Sequence, residues 1–522
     1  MKTSALWFCT SVLAILCLTG CGGGSGQPAQ DQSQNPPPPQ ADFTLAVSAN
    51  AVFVPIGAGK GSQQVSVQAV NGFNQSVSIS FSGLPNGVST SPALPLQLSP
   101  GSNQKITLTA ASGMTPSVAN ISVQGTAGTL SHNASFSLSV ANPSYAYLAT
   151  GYPGDPPYDL VGFSVDANSG ALTQVPGSPV SLSANVVDYA VASEPGGAFV
   201  FALIPSSPTF ECLPECSLQS YSVDTATGTL TPLQTINYQP QTNQSGLAID
   251  PAQKYLYVIQ NGCILAYTID PATGNLSQSS CSAVQFGSDL VVPSPGSFAY
   301  SLASDGISNS TLLLYSVNQN DGSLTLLQLY GTGSVGAALF TDPQGRALYQ
   351  LGAAIPFECS SFNIWGIDPT NGALTNLNTT FSPQCIPLSM AFNPADTFAY
   401  VTSETDEYPA APNGIYGGAV DPATGNLTTV SGSPFASGIG ASFGAAEPSQ
   451  GKFLLEDSAG SGGTGGDNGQ LLVYAIDPKT GALSAVSGVK GPLPSPYSNI
   501  GKMLTVAPNL PSPASSMGRK SR

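Results

Sequence analysis

One short pattern recurs seven times between residues 145 and 508, and it constrains the fold more than any other feature of the chain. It reads aromatic, any residue, Val or Ile, Asp or Asn, three residues, Gly, any residue, Leu, then Thr or Ser. Copies lie at 163–173, 221–231, 267–277, 315–325, 365–375, 418–428 and 474–484, with Gly418 replacing the aromatic in the sixth. Successive pattern glycines, from Gly170 to Gly481, are 58, 46, 48, 50, 53 and 56 residues apart. A unit of that length suits one small four-stranded sheet, which has to stack on its neighbours to bury its faces.

The residue types agree with that reading. An aromatic and a β-branched residue two apart place one face of a strand in a core, Asp or Asn opens a turn, Gly supplies a positive φ, and Leu starts the next strand. A second repeat lies upstream in each unit, where Pro precedes an aromatic pair. Glu194-Pro195 stands before Phe199 and Phe201, Asp250-Pro251 before Tyr255 and Tyr257, and Asn393-Pro394 before Phe398 and Tyr400, with looser forms at Pro295, Pro343 and Pro448. Each unit therefore reads as four strands, with short turns joining the first to the second and the third to the fourth. The first unit starts at Tyr145 with a second strand, and the last apolar run, 503–507, supplies its missing first strand. Closure of that kind leaves no orphan edge within the ring.

Residues 42–141 read as a separate body. Apolar and polar residues alternate at Val65 and Val67, at Val77, Ile79 and Phe81, at Ile106 and Leu108, and at Phe136, Leu138 and Val140. The period of two marks half-buried strands, and turn clusters such as Asn71-Gly72 and 83–87 separate them. The span suits one immunoglobulin-like sandwich, and the Gly-Leu-Pro-Asn-Gly-Val stretch at 83–88 resembles small Ig-like modules of bacterial surface proteins. The fold class expected is all-β, an Ig-like β-sandwich followed by a seven-bladed β-propeller.

The N-terminus places the protein outside the cytoplasm. Lys2, an apolar run from Ala5 to Leu18, and Leu18-Thr19-Gly20-Cys21 form a secretory signal over 1–20, and the residues before Cys21 resemble the bacterial lipobox, in which the Cys is acylated. Gly22 to Gln40, with Pro36 to Pro39, reads as a tether, so that 21–41 links a lipid anchor to the folded body and 509–522 forms a disordered tail. Gly22, rather than Asp, after the acylated Cys resembles sorting to an outer membrane where the cell has one. No later stretch is long and apolar enough to span a bilayer, which leaves lipid as the only tie to the membrane.

Cys212, Cys216, Cys263, Cys281, Cys359 and Cys385 follow the anchor, an even number in an exported chain, which suggests disulfides. Ile269 opposite Leu276 makes cross-strand numbers sum to 545, and Cys263 and Cys281 sum to 544. Ile367 and Leu374 sum to 741, and Cys359 and Cys385 sum to 744. Both pairs thus fall at the open end of a hairpin, leaving Cys212 to pair with Cys216 in one loop.

The net charge of -16, with 8% charged residues, opposes binding to nucleic acid. The loops joining second to third strands are expected to make an acidic face with Asp155, Asp159, Glu404, Asp406, Glu407 and Asp457. Solvated loops and a site for cations, Ca²⁺ included, both fit it. Asp188 and Asp289 open two first strands, which suits either hydrogen bonding to strand ends or a ligand at a channel mouth. His132, the single histidine, is placed as a surface or strand-end residue just before the last strand of its body.

The Asp-x-x-Thr-Gly-x-Leu-Thr and Asp-Pro repeats, with Gly177-Ser178-Pro179 and 432–435, resemble the lactonase-like, or YVTN-type, family of bacterial seven-bladed propellers over 145–508. The resemblance implies a lactone hydrolase that works with His, Arg and Glu around a channel. Here 145–508 holds no His and one Arg, Arg346, which follows the Asp342-Pro343 turn on the opposite face. No serine-hydrolase elbow, zinc-protease helix, phosphate loop or dinucleotide fingerprint occurs, so no cofactor is implied. Two functions stay open: an extracytoplasmic module binding a protein or carbohydrate, and a phosphogluconolactonase-like hydrolase.

Overall fold

The computed structural model describes residues 39–506 apart from internal stretches, the longer ones being 206–215, 239–246, 353–361, 405–413, 459–469 and 493–503. Cys21, Cys212, Cys359, Cys385, Asp406 and Glu407 lie outside the described residues, and of Asp155, Asp188, Cys216 and Glu404 only the backbone is described. Among the described residues every regular element is a strand, and none is a helix long and apolar enough to cross a membrane.

Residues 42–141 form two sheets around one core. Asp42–Val47, Gly61–Val70, Asn103–Ala110 and Val88–Ser91 make the first, and Ala51–Pro55, Leu130–Ala141, Ser117–Ala127, Val77–Ser82 and Leu96–Leu98 the second. The alternation read from the sequence is the burial pattern itself: Val65, Val67, Val77, Ile79, Ile106, Leu108, Leu138 and Val140 are all buried in the shared core. His132 lies inside the strand Leu130–Ala141 rather than before it. Its Nε2 sits 2.7 Å from Asp42 Oδ1 and its ring stands edge-on to Phe43 at 4.6 Å, which ties the strand that enters this body to the opposite sheet. The hydrogen bond and charge of His132 hold the Asp42 carboxyl below the ordinary carboxylate range.

Among the described residues, sheets of four or five strands follow, seven of them. The second is representative, running Asp188–Glu194, Gly197–Pro205, Cys216–Val223 and Leu230–Tyr238, each antiparallel to the one before. The first sheet is completed from the far end of the chain, because Leu504–Val506 pairs with Ser144–Tyr152 through Tyr145 with Val506, Ala146 with Thr505 and Tyr147 with Leu504.

Among the described residues, seven clusters of buried side chains are each shared by two successive sheets: Tyr147 with Val200 between the first and second, Phe201 with Leu256 between the second and third, and so on round to Leu148 and Val161 of the first with Leu455 and Val473 of the seventh. Each sheet therefore buries both faces, which explains why its second strand reads as a continuous apolar run such as Phe199 to Ile204.

The repeated residues build the turns. In the third-to-fourth-strand turn the Asp side chain accepts two backbone N–H groups, as Asp224 does from Ala226 and Thr227 and Asp477 from Lys479 and Thr480. Those donors favour the ionised form and lower the pKa of both carboxyls. The pattern Gly then returns its N–H to the backbone carbonyl of that Asp. In the first-to-second-strand turn the residue before Pro does the equivalent work: Asp250 accepts Tyr255 N at 2.6 Å, Asp342 accepts Ala347 N at 2.9 Å, and Asn393 accepts Phe398 N at 2.8 Å. Both motifs are thereby scaffold.

In the third sheet Cys263 and Cys281 form a disulfide with Cα atoms 5.8 Å apart. Ile269 lies opposite Leu276, but a bulge at Ala266/Tyr267 advances the register, so that Cys281 faces Leu265 and Cys263 faces Ala283. The bridge is diagonal rather than directly cross-strand, because the bulge adds one residue to the fourth strand.

Candidate functional site

The acids expected on an open loop face are largely placed on strands. Asp155 begins, and Asp159 lies within, the strand Asp155–Val165, Glu404 ends Phe398–Glu404, and Asp457 lies in Phe453–Ser458. Asp159 is 3% exposed and accepts Ser181 Oγ at 3.0 Å. Asp457 is buried as well, beside Glu456, whose carboxylate accepts the Tyr474 hydroxyl at 2.6 Å. The hairpins continue past the point where composition suggests loop, because backbone pairing runs on through Thr150 with Asp159 and through Asp457 with Leu471. Asp159 and Asp457 therefore do not belong to an exposed acidic rim.

Asp188 and Asp289 do stand at the first residue of two first strands, opposite Leu203 and Leu302. Asp289 is buried, its Oδ1 accepting Leu290 N at 2.9 Å and its Oδ2 accepting Leu339 N at 2.7 Å. Leu339 belongs to the fifth sheet, so Asp289 ties the first strands of two neighbouring sheets together. Strand-end hydrogen bonding is what this geometry performs.

Arg346 lies on the turn face. Its Nε donates to Asp342 Oδ2 at 2.6 Å, its Nη2 to Asp396 Oδ2 at 2.5 Å, and its Nη1 to the Pro422 carbonyl at 2.8 Å. Lys254, at the same place in the third sheet, donates to the Gln319 carbonyl at 2.7 Å. Pro422 and Gln319 each follow the turn Asp or Asn of the next sheet, so the two cations act as struts between sheets. Asp396, which the sequence reading did not single out, sits at φ 54 and is buried. Burial and the nearby Asp342 carboxylate push its carboxyl up to about 6, with Arg346 opposing them. A signal was present, since Asn393-Pro394-Ala395-Asp396 repeats the turn of Asp342-Pro343, but nothing local places the two turns face to face. Among the described residues no group of three or more His, Cys, Asp or Glu is arranged to hold a metal.

Successive antiparallel sheets, each packed face to face on the next, define a β-propeller, and the fold is similar to that of solved lactonase-like proteins. Three solved structures carry that likeness: a candidate 6-phosphogluconolactonase from Bacteroides uniformis (15% identity, TM-score 0.51, covering 70% of this chain and 100% of that one), another from Bacteroides fragilis (14%, 0.50, 70% and 98%), and the periplasmic gluconolactonase of Pseudomonas aeruginosa (18%, 0.50, 70% and 99%). No protein-family model and no curated protein sequence matches the chain.

Proposed function

We propose that this chain is an extracytoplasmic lipoprotein, acylated at Cys21, in which an immunoglobulin-like sandwich carries a seven-bladed propeller that serves as a binding or interaction module for a protein or carbohydrate. One observation carries the reading: Arg346 and Lys254 are spent as struts on the turn face, and 145–508 contains no His. Opening a lactone at neutral pH needs a group that moves a proton near pH 7 and a donor for the developing oxyanion, and the His and Arg that supply both in the family the repeats resemble are reduced in 145–508 to Arg346. The N-terminal body, with its tether behind it, holds the propeller away from the membrane.

The three lactonase-like structures favour a second reading, hydrolysis of a sugar lactone, more directly than they favour binding. A carboxylate with a raised pKa would then replace the family's His. Hydrolysis of 6-phosphogluconolactone by the purified mature chain separates the two. The binding reading expects turnover at the uncatalysed rate, together with saturable stabilisation by at least one member of a thermal-shift panel of sugars, lactones and divalent cations. Turnover well above background that is lost in Asp289→Asn overturns it in favour of hydrolysis.

A further inference from the structure

Among the described residues five large apolar side chains are exposed, and three of them, Leu326, Leu327 and Leu329, stand on one strand at 45, 51 and 53% exposure. That strand, Leu324–Gly331, is the outermost of the fourth sheet and, among the described residues, pairs along one edge only, with Ser310–Val317. The neighbouring sheets hold its ends: Leu324 N donates to Ser282 Oγ at 2.7 Å, and the Tyr330 hydroxyl accepts Leu374 N at 3.1 Å. The exposed leucines lie between those contacts. We propose that this edge is an interface between two copies of the chain, joined by antiparallel pairing of their Leu324–Gly331 strands.

An unpaired strand edge is a template for another strand, and proteins blunt such edges with shortness, charge, proline or a bulge. The outer strands of the other six sheets are less open to pairing. Those of the first, fifth and sixth sheets are three residues long, Pro232 interrupts the second, Lys490 and Pro492 stand at the end of the seventh, and the third presents serines rather than leucines. The bulge at Leu314/Tyr315 recurs in the second, third and seventh sheets, so it does not set the fourth apart. Its sequence, Leu-Thr-Leu-Leu-Gln-Leu-Tyr-Gly, is long, apolar and free of charge and proline. Charge and composition select a second copy as the occupant. Residues 322–341 hold no charged side chain in a chain of net charge -16, so pairing 324–331 with itself sets no like charges opposite one another, and a strip that complements itself is what a twofold interface requires. The chain's own longer stretches beyond the described residues suit the edge poorly. Residues 22–38, 206–215, 239–246, 353–361, 405–413, 493–503 and 507–522 each contain proline, which cannot donate to a ladder, and 459–469 is mostly glycine.

The inference rests on neither reading of the function above. Sedimentation velocity of the purified mature chain in detergent tests it. A monomer–dimer equilibrium with a dissociation constant of about 10 µM is expected, since one strand edge makes less than a standard-size interface. Leu327→Lys and Leu329→Lys are each expected to weaken association at least about tenfold without moving the melting temperature, because each puts a charge on the edge and its like on the partner's edge. Leu233→Lys, at an exposed leucine on the outer strand of the second sheet, is expected to leave association unchanged. Amide hydrogen exchange at 324–331 is expected to slow as protein concentration rises through the dissociation constant, a change that contact through another surface does not produce. A chain that stays monomeric up to about tenfold above that concentration overturns the proposal and leaves the edge to a foreign strand. A dimer that survives both charged variants, association lost equally in Leu233→Lys, or exchange at 324–331 that ignores concentration overturns it as well.

Discussion

The Tyr349 hydroxyl donates to the backbone carbonyl of Gly425 at 2.6 Å, linking the second strand of the fifth sheet to the third-to-fourth-strand turn of the sixth. Tyr147 with Gly228, Tyr300 with Gly372 and Tyr400 with Gly481 repeat it at 2.6, 2.7 and 2.9 Å. The aromatic of one repeat and the glycine of the next are thus two halves of a single contact. Gly425 has to be glycine twice over, since its φ is +74 and a Cβ there would lie 2.7 Å from that of Ala347.

Tyr349→Phe is expected to cost about 1 kcal/mol or somewhat more, since the Gly425 carbonyl loses its donor while the ring still covers it. Gly425→Ala is expected to cost more, about 2 kcal/mol or above, through strain and overlap together. Urea unfolding of both variants checks the order, and a Gly425→Ala variant as stable as the parent contradicts the account.

Reduction of the Cys263–Cys281 bridge, or Cys281→Ser, is expected to lower stability by about 3 kcal/mol in the chain-entropy description of a closed loop of this length. Peptide mapping without reductant is expected to recover Cys263 joined to Cys281, and the same map reads the pairing of Cys212 with Cys216 and of Cys359 with Cys385.

Deleting 500–522 removes Leu504–Val506 and leaves Ser144–Tyr152 as an open edge. The expected result is a lower, broader melting transition with increased self-association, measured by calorimetry and light scattering. A truncated chain that melts like the parent shows that the pairing contributes nothing to stability.

Asp396 gives a pH signature of known sign. Its folded pKa of about 6 lies above the ordinary value of 3.8, so the folded state holds more protons between those values. Its contribution to stability is therefore present below about pH 4, falls as pH rises to about 6 and is flat above, by the order of 3 kcal/mol at most. Asp396→Asn is expected to gain stability relative to the parent as pH rises through that window. A difference independent of pH between 4 and 7 contradicts the assignment.

The repeat pattern by itself determined where the turns of the repeated sheets fall and that the end of the chain returns to Tyr145. Each of these rests on interactions within a few residues, such as an Asp capping its own turn or a period of two along a strand. The register of Ile269 with Leu276 was legible for the same reason. Tertiary structure alone decided the rest. Asp159 and Asp457 read as loop acids because nothing nearby in sequence shows that Ser181 or a continuing hairpin awaits them. Asp396 meets Arg346, 50 residues away, only because two turns of adjacent sheets are brought side by side. The diagonal offset of Cys263 and Cys281 comes from the bulge at Ala266/Tyr267, which shows only once the strands are paired. Composition reports which groups a chain carries, and local pattern reports which strands they sit on. Whether a carboxylate faces water, a strand end or a cation depends on the neighbour that packing brings to it.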